Sequence, residues 1–320
     1  MRIRIVTPAP PRSRKGNRIT AVRWSRILRE LGHHVTIHQQ YTGQRCDLLV
    51  ALHARRSAQD IVRFCRTQPD APLLLALTGT DLYRDISRYE TARRSLELAD
   101  RLILLQPHGR NLLPSALQNK TRVIYQSVPT PKRIPIRLSK VFRVAVIGHL
   151  RSVKDPFRAA LAARGLPTRS TIQVSHLGAA LSSKMEQRAR REMQVNSRYR
   201  WLGEQPRWKT LRHLADSQLL VLSSKMEGGA NVVSEAIVAS VPILCTRVSG
   251  CIGLLDEKYP GYFDVGDTAG LRQLLFRAET DADFYATLRS WCIQRRPLFA
   301  PEREKSSWNE LVGEFSTIKQ

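Results

Sequence analysis

Two glutamates, Glu227 and Glu235, bracket a glycine turn in residues 223–239, SSKMEGGANVVSEAIVA, with seven residues between them. The spacing places one carboxylate at a strand end and the other two helical turns along, so the pair can accept hydrogen bonds from hydroxyls on either side of a phosphate. Gly228 and Gly229 carry no Cβ, which permits φ > 0 and lets a ligand come close to the backbone. From Ala230 the chain enters a helix at Asn231, whose first amides point at an anion. The same residues also fit an ordinary βα crossover with two solvated carboxylates.

The apolar run Leu219–Leu222 supplies the strand before this turn, and residues 231–239 supply the helix after it. An equivalent unit opens the chain: a buried strand over residues 2–6, a Pro- and Arg-rich loop, and a helix over 18–31 with Gly32 as its cap. At that turn Gly16 and Asn17 let a substrate approach the backbone, with Arg12, Arg14, Lys15 and Arg18 adding positive charge; a solvated basic loop fits equally. Short apolar runs at 35–37, 48–52, 73–77, 102–105 and 123–125, with helices over 58–66 and 84–98, continue the alternation. This pattern predicts a parallel sheet covered on both faces. Thr78, Gly79, Thr80 and Asp81 leave the carboxyl edge of the 73–77 strand, where ligands of doubly wound sheets collect, and form a candidate ligand loop.

Three prolines in residues 127–140 mark an interdomain linker. A second series follows, with strands over 142–147, 171–175, 199–202, 219–222 and 242–245. Arg151 and Lys154 follow the first of these strands, ahead of a helix over 155–164. Ser249, Gly250 and Cys251 read as a loop preceding a short turn. Asp281 and Asp283 have the Asp-x-Asp spacing of metal-dependent sugar transferases, but a cap at a helix start accounts for them. The last helix, over 302–315, carries Trp308, Leu311, Val312 and Phe315 at helical spacing. The fold class expected is α/β with two Rossmann-like domains, 1–137 and 138–298, followed by a C-terminal segment, 299–320.

The chain has 320 residues and a net charge of +25 from 52 basic and 27 acidic side chains. Residues 1–140 hold 26 of the basic and 9 of the acidic groups, a net +17, which favours anionic partners. Nucleic acid, an anionic membrane surface and phosphorylated small molecules all fit such a charge; arginine outnumbers lysine about four to one with no aromatic-interleaved basic patch, so nucleic-acid binding ranks low. No apolar run reaches membrane-spanning length and the opening is too short and polar for a signal peptide; a cytoplasmic protein without membrane insertion is expected. The five cysteines form no CxxC pair and no metal-spaced cluster, so reduced thiols, no metal and no cofactor are expected.

The glutamate pair Glu227-Gly228-Gly229 with Glu235-Ala236 resembles that of retaining family 4 nucleotide-sugar glycosyltransferases, which have the GT-B fold. That resemblance implies that Glu227 faces the donor hexose, Glu235 the ribose, and the amides of Gly228, Gly229, Ala230 and Asn231 the diphosphate. It also implies that Arg151 and Lys154 hold the donor diphosphate, that Gly203 borders the uracil, and that the tail helix crosses back to the first domain. More specific is the similarity of the opening IVTPAPPRSRKGNRITAVRWSRILRELGHHV, of LTGTDLYRDI and of GHLRSVKDPFRAA to the selenosugar synthases of selenoneine biosynthesis. It implies two substrates, a UDP-sugar (UDP-glucose or UDP-N-acetylglucosamine) and selenophosphate, the latter held by Gly16, Asn17, Arg18 and Thr78 to Asp81. Catalysis would then rest on Glu227, Arg151 and Lys154. A family 4 transferase acting on a lipid, glycan or small-molecule hydroxyl is the alternative, and a basic nucleic-acid-associated protein a distant third.

Overall fold

The computed structural model of the chain describes residues 1–13, 16–129 and 140–315. Arg14, Lys15 and most of the expected linker lie outside the described residues. The chain forms two compact units, Met1–Ser127 with Pro301–Gln320, and Val128–Ala300.

In the first unit β1 (Arg2–Val6), β2 (His34–His38), β3 (Leu48–Leu52), β4 (Leu73–Leu77), β5 (Arg101–Leu104) and β6 (Thr121–Val123) form one sheet in the order β2-β1-β3-β4-β5-β6. Every pairing is parallel. All residues of β3 and β4 are buried, because central strands of such a sheet are covered on both faces. The first helix, Gly16–Glu30, starts two residues before its expected position and turns Ala21, Trp24, Ile27 and Leu28 into the core. Gly32 follows it with φ +87°.

The single helix expected over 84–98 is not formed. The chain instead makes a π-helical turn, Asp81–Asp85, a short helix, Ile86–Arg88, an extended residue at Tyr89, and a helix, Glu90–Leu98. The interruption is at Tyr89, whose φ of −125° and ψ of 122° are extended; ahead of it the Asp81 carboxylate accepts the amides of Thr78, Gly79 and, from the loop after β3, Ala54 at 2.8–3.3 Å.

The helix Pro301–Gly313 belongs to the first unit. Trp308, Leu311, Val312 and Phe315 join Ile3, Trp24 and Leu28 in one core, and the Trp24 and Trp308 rings meet edge to face at 4.9 Å. Beside them Glu304, 1% exposed, accepts the Trp24 indole N–H at 3.0 Å and both the amide and the hydroxyl of Ser127 at 2.8 and 2.6 Å.

In the second unit β7 (Phe142–Ile147), β8 (Ile172–Leu177), β9 (Tyr199–Trp201), β10 (Leu219–Leu222), β11 (Ile243–Thr246) and β12 (Tyr262–Phe263) are ordered β12-β11-β10-β7-β8-β9. These pairings are parallel too. Strand order runs outward from β7 to β9, then restarts at β10 on the other side of β7. The crevice between the carboxyl ends of β7 and β10 is therefore the topological switch point, where open α/β sheets bind ligands. Ser249, Gly250 and Cys251 are not a loop but the first turn of a helix, Ser249–Leu255. Asp281 caps the helix Ala282–Arg295 by accepting the Phe284 amide at 2.9 Å. Among the described residues no helix is long and apolar enough to cross a membrane.

Candidate functional site

Two loops meet at the switch point of the second unit. After β7 the chain passes Gly148 and Arg151 and makes a tight turn, Ser152–Lys154, leaving through Asp155 in a left-handed conformation, φ +42°. After β10 it runs through Ser223 to Ala230 and enters the helix Asn231–Ala239, whose bounds are those expected from the sequence. The loops are bound to each other by backbone and side chain. The Lys225 amide donates to the Val153 carbonyl at 2.8 Å, and the Ser223 hydroxyl donates to the carbonyls of Asp155 and Lys154 at 2.8 and 3.2 Å.

This platform brings Lys154 onto Glu227, Nζ to Oε1 at 2.5 Å, with the lysine side chain 31% and the glutamate 9% exposed. Ser224 donates its hydroxyl to the same carboxylate oxygen at 2.5 Å. Behind Glu227 the helix Ser249–Leu255 approaches so closely that a Cβ on Gly250 would lie 2.0 Å from the Glu227 carbonyl oxygen, which restricts that position to glycine. Glu235, also buried, is paired with Arg207 at 2.8 Å. No side chain caps the start of the Asn231–Ala239 helix, and its first turn has no acidic residue. Its amide end is therefore electropositive. Gly228 and Gly229 do not take positive φ as the sequence suggested; they are half-buried, as is Asn231, while Ala230 is buried. Arg151 is exposed at the start of the Ser152–Lys154 turn.

Gly203 follows β9 with φ +69°, and its carbonyl accepts the Gly178 amide at 2.8 Å. Gly178 in turn packs on the backbone of Gly148, where a Cβ would come within 2.0 Å. Beneath them His176 donates from Nε2 to the Gly148 carbonyl at 3.0 Å and lies 3.0 Å from the Tyr199 hydroxyl through Nδ1. Burial pushes the His176 pKa down to about 4, although its bond to Gly148 opposes the shift, so the ring is neutral and Nδ1 accepts from Tyr199. Sequence reasoning passed over Ser223, Ser224, Arg207 and His176. Only the paired serines immediately after an apolar strand offered a local signal.

In the first unit the two expected acceptor loops are brought together: the Thr78 hydroxyl donates to Asn17 Oδ1 at 2.7 Å. Gly16 is exposed, and Asn17, Arg18, Thr78, Gly79 and Thr80 are half-buried. Asp81, expected to face a ligand, is instead fully buried and shapes the loop from beneath through the three amides it accepts. The Thr80 hydroxyl lies 3.2 Å from Nε2 of His53, a buried residue with φ +80° that had not been singled out. Among the described residues no group of three His, Cys, Asp or Glu side chains is placed to hold a metal ion.

Residues 132–283 match the family model described as glycosyl transferases group 1. No curated protein sequence matches the chain significantly. Among solved structures, the sucrose-phosphate synthase of Thermosynechococcus elongatus is similar with a TM-score of 0.80 at 15% identity, covering 99% of each chain. HepE of Anabaena in complex with UDP-glucose gives 0.77 at 15% identity, covering 98% of this chain and 100% of that one. A glycosyltransferase from Rickettsia africae gives 0.73 at 13% identity, covering 98% of both. The chain thus has the GT-B architecture, and the stretch carrying Lys154, Glu227 and Glu235 matches the group 1 glycosyl transferases.

Proposed function

We propose that the chain is a glycosyltransferase that takes a UDP-sugar at the switch point of its second unit and transfers the sugar to selenophosphate. The observation that carries the donor half is the Lys154–Glu227 pair beside an uncapped helix start, within the stretch that matches the group 1 family. A cation, an electropositive backbone and two buried carboxylates suit a nucleoside diphosphate sugar: phosphate needs the first two, and sugar and ribose hydroxyls need the last. In support, HepE, which shares the fold, has been solved with UDP and with UDP-glucose.

In this reading Glu235 accepts from the ribose hydroxyls and Glu227 from the hexose. Gly203 borders the uracil. The amides of Gly228, Gly229, Ala230 and Asn231, with Arg151 and Lys154, hold the diphosphate. As the anomeric carbon–oxygen bond breaks, UDP departs with the bonding pair, and the fixed cations stabilise its growing charge more than that of the ground state. Selenium supplies the electron pair of the new carbon–selenium bond. As selenophosphate is already an anionic nucleophile, the step needs no protein base. The selenium–phosphorus bond is then cleaved by water, a step to which no residue is assigned.

The acceptor half rests on the similarity to selenosugar synthases and on the charge of residues 1–140. Gly16, Asn17, Arg18, Thr78, Gly79 and Thr80 would bind selenophosphate, with Asp81 shaping their loop. The test is an anaerobic incubation of the purified protein with UDP-glucose or UDP-N-acetylglucosamine and, in turn, selenophosphate, thiophosphate or phosphate. UDP release with selenophosphate, accompanied by a selenium-bearing sugar, is the expected result. UDP-sugar binding without selenophosphate-dependent turnover would overturn the acceptor assignment and direct the search to hydroxyl acceptors.

A further inference from the structure

The two oxygens of the Glu227 carboxylate are used unequally. Oε1 takes both Lys154 Nζ and the Ser224 hydroxyl, each at 2.5 Å. Oε2 accepts no hydrogen bond from any described residue, and it is not a buried orphan. One oxygen is therefore pinned to the protein and the other is left for a ligand.

Ser224 is well placed to do the pinning. It is fully buried, and its carbonyl accepts the Thr246 hydroxyl at 2.5 Å from the end of β11, which fixes the backbone that carries it. Successive residues of an extended segment point to opposite sides, and the two serines after β10 use this. Ser223 bonds the carbonyls of Lys154 and Asp155 on one side, and Ser224 bonds Glu227 on the other. Adjacent hydroxyls thus hold the loop that bears the cation and the carboxylate that the cation meets. A buried serine serving packing alone satisfies itself on a nearby carbonyl, as Ser57 does on Leu52 at 2.8 Å. Ser224 spends its one donor on an ionisable side chain instead.

From this geometry we infer that Ser224 is a positioning residue: it fixes the Glu227 carboxylate so that Oε2 is presented to the hexose of the donor. The inference rests on the reading of Glu227 as hexose-facing. It predicts an effect on chemistry and little effect on nucleotide affinity, because the hydroxyl of Ser224 bonds Glu227 and its carbonyl bonds Thr246, not the residues assigned to the ribose and the diphosphate amides. A carboxylate displaced by about 1 Å from its working position loses roughly 10- to 100-fold in rate.

The test compares Ser224→Ala, Ser224→Thr and Glu227→Gln with wild type, measuring kcat and KM for the UDP-sugar and, separately, the Kd of UDP by calorimetry. For Ser224→Ala the expected result is a kcat lower by roughly 10- to 100-fold, with KM and the UDP Kd within about threefold of wild type. Ser224→Thr, which keeps the hydroxyl, should recover most of the rate. If Ser224→Ala does not fold, Ser224→Cys, similar in size with a weak donor, is read in its place. Wild-type kinetics in Ser224→Ala alongside collapse in Glu227→Gln would overturn the positioning role and leave the function standing. Parallel loss of kcat and UDP affinity, unrescued by threonine, would mark general damage and overturn it too. Unchanged turnover in Glu227→Gln would instead sink the reading of Glu227, and the inference with it.

Discussion

Lys154→Ala should lower kcat by roughly two to three orders of magnitude, the range seen when one preorganised stabiliser of developing negative charge is removed. Lys154 is held in a tight turn whose backbone is bonded to the loop of the partner carboxylate, and its ammonium is already ordered at 2.5 Å from Glu227. In the proposed reaction its charge would therefore be in place beforehand and need little reorganisation as the diphosphate leaves. Loss of the cation also leaves a buried carboxylate with Ser224 as its donor, which costs on the order of 1 to 3 kcal/mol of stability. Assays well below the melting temperature separate the two effects. Lys154→Arg should recover part of the rate, since it restores the charge on a longer, planar head that the turn was not built around. Steady-state kinetics of both variants with a UDP-sugar check this; a Lys154→Ala enzyme within threefold of wild type would remove Lys154 from the mechanism.

Glu304→Ala should destabilise the first unit by roughly 3 to 5 kcal/mol, the cost of removing one member of a buried charged network. The glutamate gathers the Trp24 indole, the Ser127 amide and hydroxyl, and the Arg23 guanidinium, which lies 3.4 Å away. Its loss strands three buried donors and a largely buried cation at once. For a unit of this size that corresponds to a fall in Tm of roughly 10 °C, to be read by calorimetry. Glu304→Gln, which keeps an acceptor oxygen, should fall between the two. A melting temperature unchanged in Glu304→Ala would show that the apolar packing of the C-terminal helix, and not this network, holds it to the first unit.

The parts of this fold that could be read from sequence were those whose cause is local. The runs LLVAL and LLLAL announce strands because both faces of a central parallel strand are buried. The helix Asn231–Ala239 could be placed because an apolar strand, two glycines and a helix-forming run follow one another. Where the cause lies far along the chain, the reading failed. Asp81, expected in a ligand-facing loop, is instead buried beneath amides that include one 27 residues away at Ala54. The Arg207–Glu235 pair and the bond from Thr78 to Asn17, 61 residues apart, leave no local trace. The site divided in the same way. The glutamates, the glycine turn and the Arg-Lys interval were visible as motifs, but the serine pair that fixes their geometry was not, since its meaning depends on which loop lies across the crevice.

Calorimetric titration of UDP into the wild-type protein and into Glu235→Ala tests the assignment of the switch point of the second unit as the nucleotide-sugar site most directly. Saturable single-site binding to wild type is predicted, with affinity in Glu235→Ala weaker by roughly tenfold or more, as befits loss of a charge-assisted contact to the ribose. Equal affinity in the two proteins, or no saturable binding to either, would contradict it.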